Sequence, residues 1–289
     1  MTSPLVSVVM PCLNAEATIL RSIDSVLTQS CADIELIVVD NGSTDGTLAI
    51  LESLTDPRLI YLHEPVRGVS YARNRGLQQA CGRYVAFLDA DDTWDRNFLA
   101  KMTAALDVNP EAILAYCGWQ NLGVEGERGR PFVPPVYEGP NKMQTLLVNN
   151  RWPIHACLAR LSDVRATGGF DTRLIIAEDY LLWLELAVRG RLLRVPEVLA
   201  YYHHHEGQQA TKDKALTVLH LMQAKLTFLS RHPQVVQALG LRETYKLTWG
   251  LLIEQAKAFG QEARTAKPLK ARLLSLLGKR ARRCMDRPL

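Results

Sequence analysis

No run of 18 uncharged apolar residues occurs in this 289-residue chain, so no membrane-spanning helix is expected. No GxGxxG follows any apolar run, which withholds support from a dinucleotide-binding fingerprint. No CxxC pair is present. Cys12, Cys31, Cys81, Cys117, Cys157 and Cys284 are scattered, so neither a zinc ribbon nor a disulfide framework is indicated. Small, reduced, buried thiols are the expectation. The opening MTSPLVSVVMP has no basic segment ahead of its apolar run, does not read as a secretory leader, and so points to the cytoplasm. Internal repeats and low-complexity tracts are absent too.

Hydrophobic residues make up 47% of the chain, enough for one full core and a smaller second unit. The net charge of +4 is unevenly spread. Lys267 to Arg287 carries eight Lys or Arg and one acid, a net +7, which leaves −3 for the rest. The basic character belongs to the tail, and no nucleic-acid partner is expected.

Short apolar runs alternate with helical patterns in the first half. Val6–Met10, Ile34–Val39, Leu59–Leu62, Tyr84–Leu88 and Ile113–Cys117 suit strands of a parallel sheet buried on both faces. Between them Ile19, Ile23, Val26 and Leu27 recur at helical spacing, as do Leu48, Leu51 and Leu54, and then Phe98, Leu99, Met102 and Leu106. This predicts an α/β sheet with helices on both faces. Gly118 to Pro140 reads as a loop. An apolar run at His155–Ala159, a Gly168–Phe170 turn, a helix from Glu178 and a strand over Pro196–Tyr202 follow. Beyond about Thr211 only helical pattern remains. Two units are expected, residues 1–209 and a helical extension over 210–289.

In open α/β sheets, ligands bind beyond the carboxyl ends of strands. Pro11–Ile19 follows the first strand there, and Asp40–Thr47 (DNGSTDGT) follows the second, with Ser43 or Thr44 available to cap a helix. The fourth strand ends in DADD, Asp89–Asp92. Three carboxylates in four residues repel one another unless a cation neutralises them, and hard oxygens suit Mg²⁺ or Mn²⁺. Arg67, Arg73 and Arg75 gather at a helix start, where they can offset phosphate charge, Arg75 reading rather as a surface residue. Glu178 and Asp179 precede an apolar helix, as plain capping residues or as a base for an acceptor hydroxyl. In Tyr201–Gln209 (YYHHHEGQQ), strand alternation puts His203 and His205 on one face and His204 on the other.

In this order VSVVMPCLN, IELIVVDNGSTDGT, GVSYARNRGL, YVAFLDADD, GGFD with AEDYLLWLEL, and YYHHHEGQ resemble glycosyltransferase family 2 over residues 4 to 209. The resemblance implies a GT-A type nucleotide-binding fold, a nucleotide-diphosphate sugar donor, and inversion in one in-line displacement. It implies Asp179 as the catalytic base, and Pro11, Leu13, Asn14, Asp40, Arg73, Asp89, Ala90, Asp91 and Glu178 as donor-site residues. Asp89, Asp91 and His205 would hold Mn²⁺ or Mg²⁺. Asn41 and the Cys12–Leu13 pair depart from the family's usual DDGS and Thr-Tyr. No QxxRW motif occurs, which points to addition of a single sugar to a glycan or lipid-linked acceptor. Acceptor specificity would reside in residues 118–150 and 152–173. The rival readings are a nucleotidyltransferase-like enzyme and a non-catalytic nucleotide- or glycan-binding module, which would tolerate a broken DxD or ED pair.

The tail offers Pro268 for a first helical turn, with Leu269, Leu273, Leu276, Leu277, Ala281 and Cys284 on one stripe and most basic residues off it. Such a helix can lie on an anionic membrane, which would bring the protein to the inner face of the cell membrane. The same stripe could instead pack on Tyr245, Trp249, Leu252, Ala256 and Phe259, or join two copies.

Overall fold

The computed structural model describes residues 3–204 and 214–250. His205 and the basic tail over 267–287 lie outside the described residues.

Eight strands form one mixed sheet: β1 (Val6–Cys12), β2 (Ile34–Asp40), β3 (Leu59–His63), β4 (Tyr84–Phe87), β5 (Thr93–Trp94), β6 (Ala112–Leu122), β7 (Cys157–Arg160) and β8 (Arg191–His203), in the order β3-β2-β1-β4-β7-β6-β8-β5. The helices are α1 (Ile19–Leu27), α2 (Thr47–Ser53), α3 (Val69–Gln79), α4 (Phe98–Asp107), α5 (Lys142–Val148), α6 (Leu161–Ala166), α7 (Glu178–Ala187), α8 (Lys214–Arg231) and α9 (Pro233–Leu239). A further helical stretch covers residues 241–250.

Every residue of β1 and β2 is buried, as their unbroken apolar runs demand. Helix α3 lies so close to β1 that a Cβ on Gly76 would come within 2.4 Å of a Val9 methyl, and only glycine fits there. β1, β2, β3 and β4 are mutually parallel, and β1 stands between β2 and β4. The chain thus leaves β1 in one direction and resumes on its other side, which is the switch point where open sheets bind ligands. The carboxyl ends of β1, β2 and β4 meet there.

The second half departs from a purely parallel sheet. β7 runs antiparallel to both β4 and β6, and β5 antiparallel to β8. A short strand buried on both faces has the same composition in either direction, so its polarity follows from its connections rather than from its residues. β6 also continues past Cys117 to Leu122, where the glycine and charge content predicts a loop from Gly118 onward. Pairing with β8 over Gly118↔Val198 to Leu122↔His203 imposes the strand. Pro196 falls in the bulge between the Tyr116 and Gly118 pairings, the one kind of place where a strand tolerates its missing N–H.

Helix α8 packs on α7, and its Leu221, Ala224 and Phe228 join the same core as the sheet. Among the described residues no helix is long and apolar enough to cross a membrane.

Candidate active site

The loops after β1 and β2 are tied to each other by side chains. Asn14 adopts φ 51°, a conformation asparagine enters more readily than most residues. Its N–H donates to Ser43 Oγ at 2.9 Å, and its Oδ1 accepts from the Thr44 N–H at 2.8 Å. Ser43 and Thr44 are therefore bound to the first loop and do not cap α2. The N-cap of α2 is Gly46, and Asp45 just ahead of it accepts from the Thr47 N–H at 3.0 Å. Asp40 is fully buried, and its carboxylate accepts from the N–H groups of Gly42 and Ser43 at 3.0 and 3.1 Å, which shapes its own loop. Asn41, the departure from the family pattern, reaches the next loop by donating to the carbonyls of Glu64 and Val66 and accepting from the Gly68 N–H. Pro11 is buried, while Leu13 and Asn14 are exposed at the rim.

The crowding in DADD is relieved largely by the protein itself. Arg73 is buried in α3 and donates to Asp89 Oδ1 at 2.7 Å and to Glu178 Oε1 at 2.5 Å. Burial alone would favour a neutral side chain, but the two carboxylates outweigh it and keep the guanidinium firmly charged. Asp92 has its Oδ2 3.0 Å from His155 Nδ1, both side chains being wholly buried. Burial pushes the His155 pKa down, and the opposing charge of Asp92, with Asp89 and Asp91 behind it, lifts it above the ordinary value. Arg73 thus offsets part of the carboxylate charge in DADD from within the protein. Asp89 is 31% exposed in its side chain and Asp91 is half-buried, with Arg21 donating to the Asp91 carbonyl at 2.7 Å. Ala90 is buried between them.

Arg73 brings the ED pair to the same place. Glu178 and Asp179 open α7 directly after Ala177, a non-glycine residue at φ 65°. Such a conformation costs on the order of 1–3 kcal/mol and persists only where its surroundings hold it. Upstream, the Gly168–Phe170 turn is anchored to α3, where Asn74 both donates to the Phe170 carbonyl and accepts from its N–H, at 2.8 and 2.9 Å. Asp179 is half-buried, accepts from its neighbour's N–H at Tyr180 (2.6 Å), and accepts from Asn150 Nδ2 at 3.0 Å. Burial, then the Glu178 charge, pushes its pKa up to about 7, and Arg73 only partly opposes them. A carboxylate poised near neutrality at a strained helix start has the properties of a general base.

His203 and His204 diverge as strand alternation predicts. His203 Nε2 lies 2.9 Å from Thr93 Oγ1, and its backbone N–H donates to Asp92 Oδ1 at 2.9 Å. His204 Nε2 lies 3.2 Å from Asn121 Oδ1 on β6. Arg75 is exposed, as expected, and Arg67 sits in the open beside Gly42. Spacing in the sequence did not reveal the His155–Asp92 pair or Asn150. Each joins segments more than 25 residues apart, and the only local hint was a histidine heading a buried strand.

The site thus ties Asp89, Arg73 and Glu178 into one connected group, with Asp179 and Asp91 beside them in sequence. No cluster of three or more metal-ligating side chains stands preassembled among the described residues. The donors present are hard carboxylate oxygens, which fit Mg²⁺ or Mn²⁺ sharing its coordination with a diphosphate rather than an ion held in a protein cage.

Residues 7–164 match the family model described as glycosyl transferase family 2. The chain is similar to the UDP-Glc:alpha-D-GlcNAc-diphosphoundecaprenol beta-1,3-glucosyltransferase WfgD of Escherichia coli, with 36% identity over 183 residues, 63% of this chain and 69% of that protein. Its fold is similar to that of Staphylococcus aureus TarS 1-349, solved in complex with UDP-GlcNAc, at a TM-score of 0.71 and 18% identity over 96% of this chain and 79% of that one. It is also similar to the mannosyltransferase PcManGT of Pyrobaculum calidifontis, solved with GDP-Man and Mn²⁺, at a TM-score of 0.60 and 22% identity over 96% and 80%. The expected α/β fold of GT-A type is the observed one.

Proposed function

The chain belongs to glycosyl transferase family 2, and from that premise we propose that it moves one sugar from a uridine-diphosphate sugar to a hydroxyl of a lipid-linked saccharide, with inversion. The observation that carries the reading is the placement of Asp179 at the start of α7, held by Asn150 and directly beside Glu178, which Arg73 ties to Asp89. Intact DxD and ED pairs favour a working transferase over a binding-only relative. The donor class follows the UDP-sugars in the names of WfgD and of the TarS complex, and the acceptor class follows the diphosphoundecaprenol acceptor in the WfgD name.

Asp179 takes the proton of the acceptor hydroxyl as its oxygen forms a bond to the anomeric carbon. The bond from that carbon to the β-phosphate oxygen breaks, and the nucleoside diphosphate leaves with the electron pair. Attack from the face opposite the leaving group inverts the centre. Arg73 fixes Asp89 and Glu178 and keeps the ED pair beside the donor. Pro11, Leu13 and Asn14 border the nucleotide, beside a second loop whose shape Asp40 maintains, and Ala90 lets the diphosphate approach. Asp91, Asp89 and His205 would hold Mn²⁺ or Mg²⁺, which when bound offsets charge on the leaving diphosphate. Mn²⁺ in the PcManGT complex supports the use of a divalent metal, not a particular ligand set. Residues 1–209 would form the catalytic part, and the basic tail over 267–287, within the 210–289 extension, would meet an anionic membrane at the cytoplasmic face, where a lipid-linked acceptor would lie.

The test is a donor screen with the full chain, Mn²⁺ and an alkyl α-GlcNAc-diphosphate acceptor, read as released nucleoside diphosphate. Acceptor-dependent release of UDP that ceases in EDTA is expected. Release from no donor, or undiminished release in EDTA, would remove the transfer reading or its metal respectively.

A further inference from the structure

A cleft of about 370 Å³ opens beside the ED pair, walled by Trp119, Phe132, Tyr137, Asn150, Arg151 and Trp152. Its aromatic wall is built rigidly. Trp119 and Phe132 exchange both backbone hydrogen bonds at 2.9 Å, so the strand end and the returning segment are clamped, with the two rings 4.9 Å apart at 65°. The Tyr116 hydroxyl pins the same segment farther on, donating to the Pro135 carbonyl at 3.0 Å and accepting from the Tyr137 N–H at 2.8 Å. Trp152 stacks on Tyr116 at 4.7 Å. Yet Phe132 remains 46% exposed, an aromatic face held in place and left open to solvent.

Two polar features aim the cleft. Asn150 contributes to its wall, donates to Asp179 from Nδ2, and has a buried Oδ1 with no protein partner. A buried amide oxygen without a protein donor is one that a ligand hydroxyl or an ordered water can satisfy. Arg151 donates to the Thr145 carbonyl from Nε and Nη2 and lies 5.9 Å over the Tyr137 ring. Among the described residues no carboxylate lies within ion-pair distance of its guanidinium, so the cleft keeps a positive charge. Asp179 therefore separates two chemistries: the Asp89–Arg73–Glu178 group on one side, and an aromatic, cationic cleft reached through Asn150 on the other.

We propose that this cleft is the acceptor subsite, where a pyranose ring of the acceptor packs on Trp119 and Phe132, its hydroxyl reaches Asp179 beside Asn150, and Arg151 meets the phosphate that links the sugar to its carrier. The proposal rests on the glycosyl-transfer reading and adds the residues that select the acceptor. The C–H face of a pyranose is apolar and suits the electron-rich face of an aromatic ring, while its hydroxyl edge needs a few placed polar groups, the pattern of aromatic lining and sparse polar atoms seen here. A guanidinium binds phosphate oxygens better than a point charge does, because its donors form a planar fork.

The experiment compares the wild type with Phe132→Ala, Phe132→Tyr and Arg151→Gln, using an alkyl α-GlcNAc-diphosphate and the matching neutral alkyl α-GlcNAc as probes. Phe132→Ala should raise the acceptor KM about tenfold with the donor KM unchanged, and Phe132→Tyr should retain the wild-type value. Arg151→Gln should raise the KM of the diphosphate probe about tenfold and that of the neutral probe little. Tryptophan fluorescence titrated with the diphosphate probe, without donor, should show quenching that Phe132→Ala weakens about as much. An unchanged acceptor KM in Phe132→Ala, an equal rise in donor KM, or no quenching in the wild type would overturn the assignment. Acceptor-dependent release of UDP by the wild type tests the transfer reading separately, so a failure of one is told from a failure of the other.

Discussion

Replacing Asp179 by Asn should remove activity and add stability, with a pH dependence that identifies the cause. In the folded chain its pKa stands at about 7, against 3.8 for an unperturbed aspartate. A carboxyl with a raised folded pKa is fully tolerated below pH 4, where it is protonated in both states. Its contribution is lost as pH rises from about 4 through about 7, because the unfolded chain then ionises more readily. At pH 8 the charged form carries the whole penalty. The ceiling is ~4 kcal/mol at ~1.4 kcal/mol per pH unit, and solvent access to the half-buried group reduces it to about 1–2 kcal/mol. Asn keeps the oxygen that accepts from the Tyr180 N–H, and rotation of the Asn150 amide turns its unpartnered Oδ1 toward the new NH₂. The substitution should therefore raise Tm at pH 8 by about 2–4 °C and leave it nearly unchanged at pH 5. Turnover should fall on the order of a hundredfold to ten-thousandfold while donor affinity survives. For the wild type, kcat/KM should rise with pH through about 7 as the base ionises. Scanning fluorimetry at pH 5, 6.5 and 8 beside steady-state kinetics reads all of this. A Tm difference that stays flat or turns negative with rising pH would refute the raised pKa. Near-normal turnover in Asp179→Asn together with loss in Glu178→Gln would show the wrong carboxylate was chosen.

Four further outcomes are expected. Asp91→Asn should abolish transfer and weaken UDP binding in Mn²⁺ by calorimetry, and alanine at His205 should cost more activity than alanine at His204; UDP affinity in Mn²⁺ unaltered by Asp91→Asn contradicts the metal assignment. His155→Gln should destabilise the fold by about 3–5 kcal/mol, since it strands a buried Asp92 carboxylate, and adding Asp92→Asn should recover part of the loss in chemical denaturation. Two independent losses that simply add would show the pair is not coupled. Truncation after Ala266 should abolish sedimentation with anionic liposomes at low salt, and equal recovery of both proteins in the supernatant would end the membrane role of the tail.

The parallel half of the sheet was legible because β1, β2 and β4 are continuous apolar runs, each followed by a polar loop. Strand polarity in the second half was not, since Cys157–Arg160 would look the same running either way. The extension of β6 through Gly118 came from pairing with β8, a partner some 80 residues away that no local propensity encodes. In the site, Asp89, Asp91, Glu178 and Asp179 stood out as carboxylates at element ends. What they do to one another did not, because Arg73, His155 and Asn150 reach them only through the tertiary fold. Arg73 was read as a phosphate ligand from its place near a helix start. Its burial between two carboxylates shows a guanidinium already committed to holding the site together.

The central claim is transfer of a single sugar with inversion, and product analysis tests it most directly. The full chain should be incubated with the UDP-sugar that the donor screen selects and with an alkyl α-GlcNAc-diphosphate, and the product examined by mass spectrometry and proton NMR. A product heavier by one sugar residue, its new anomeric centre β from an α-linked donor, is the predicted result. A polymer, an α-linked product, or nucleotide released with the acceptor unchanged would contradict it.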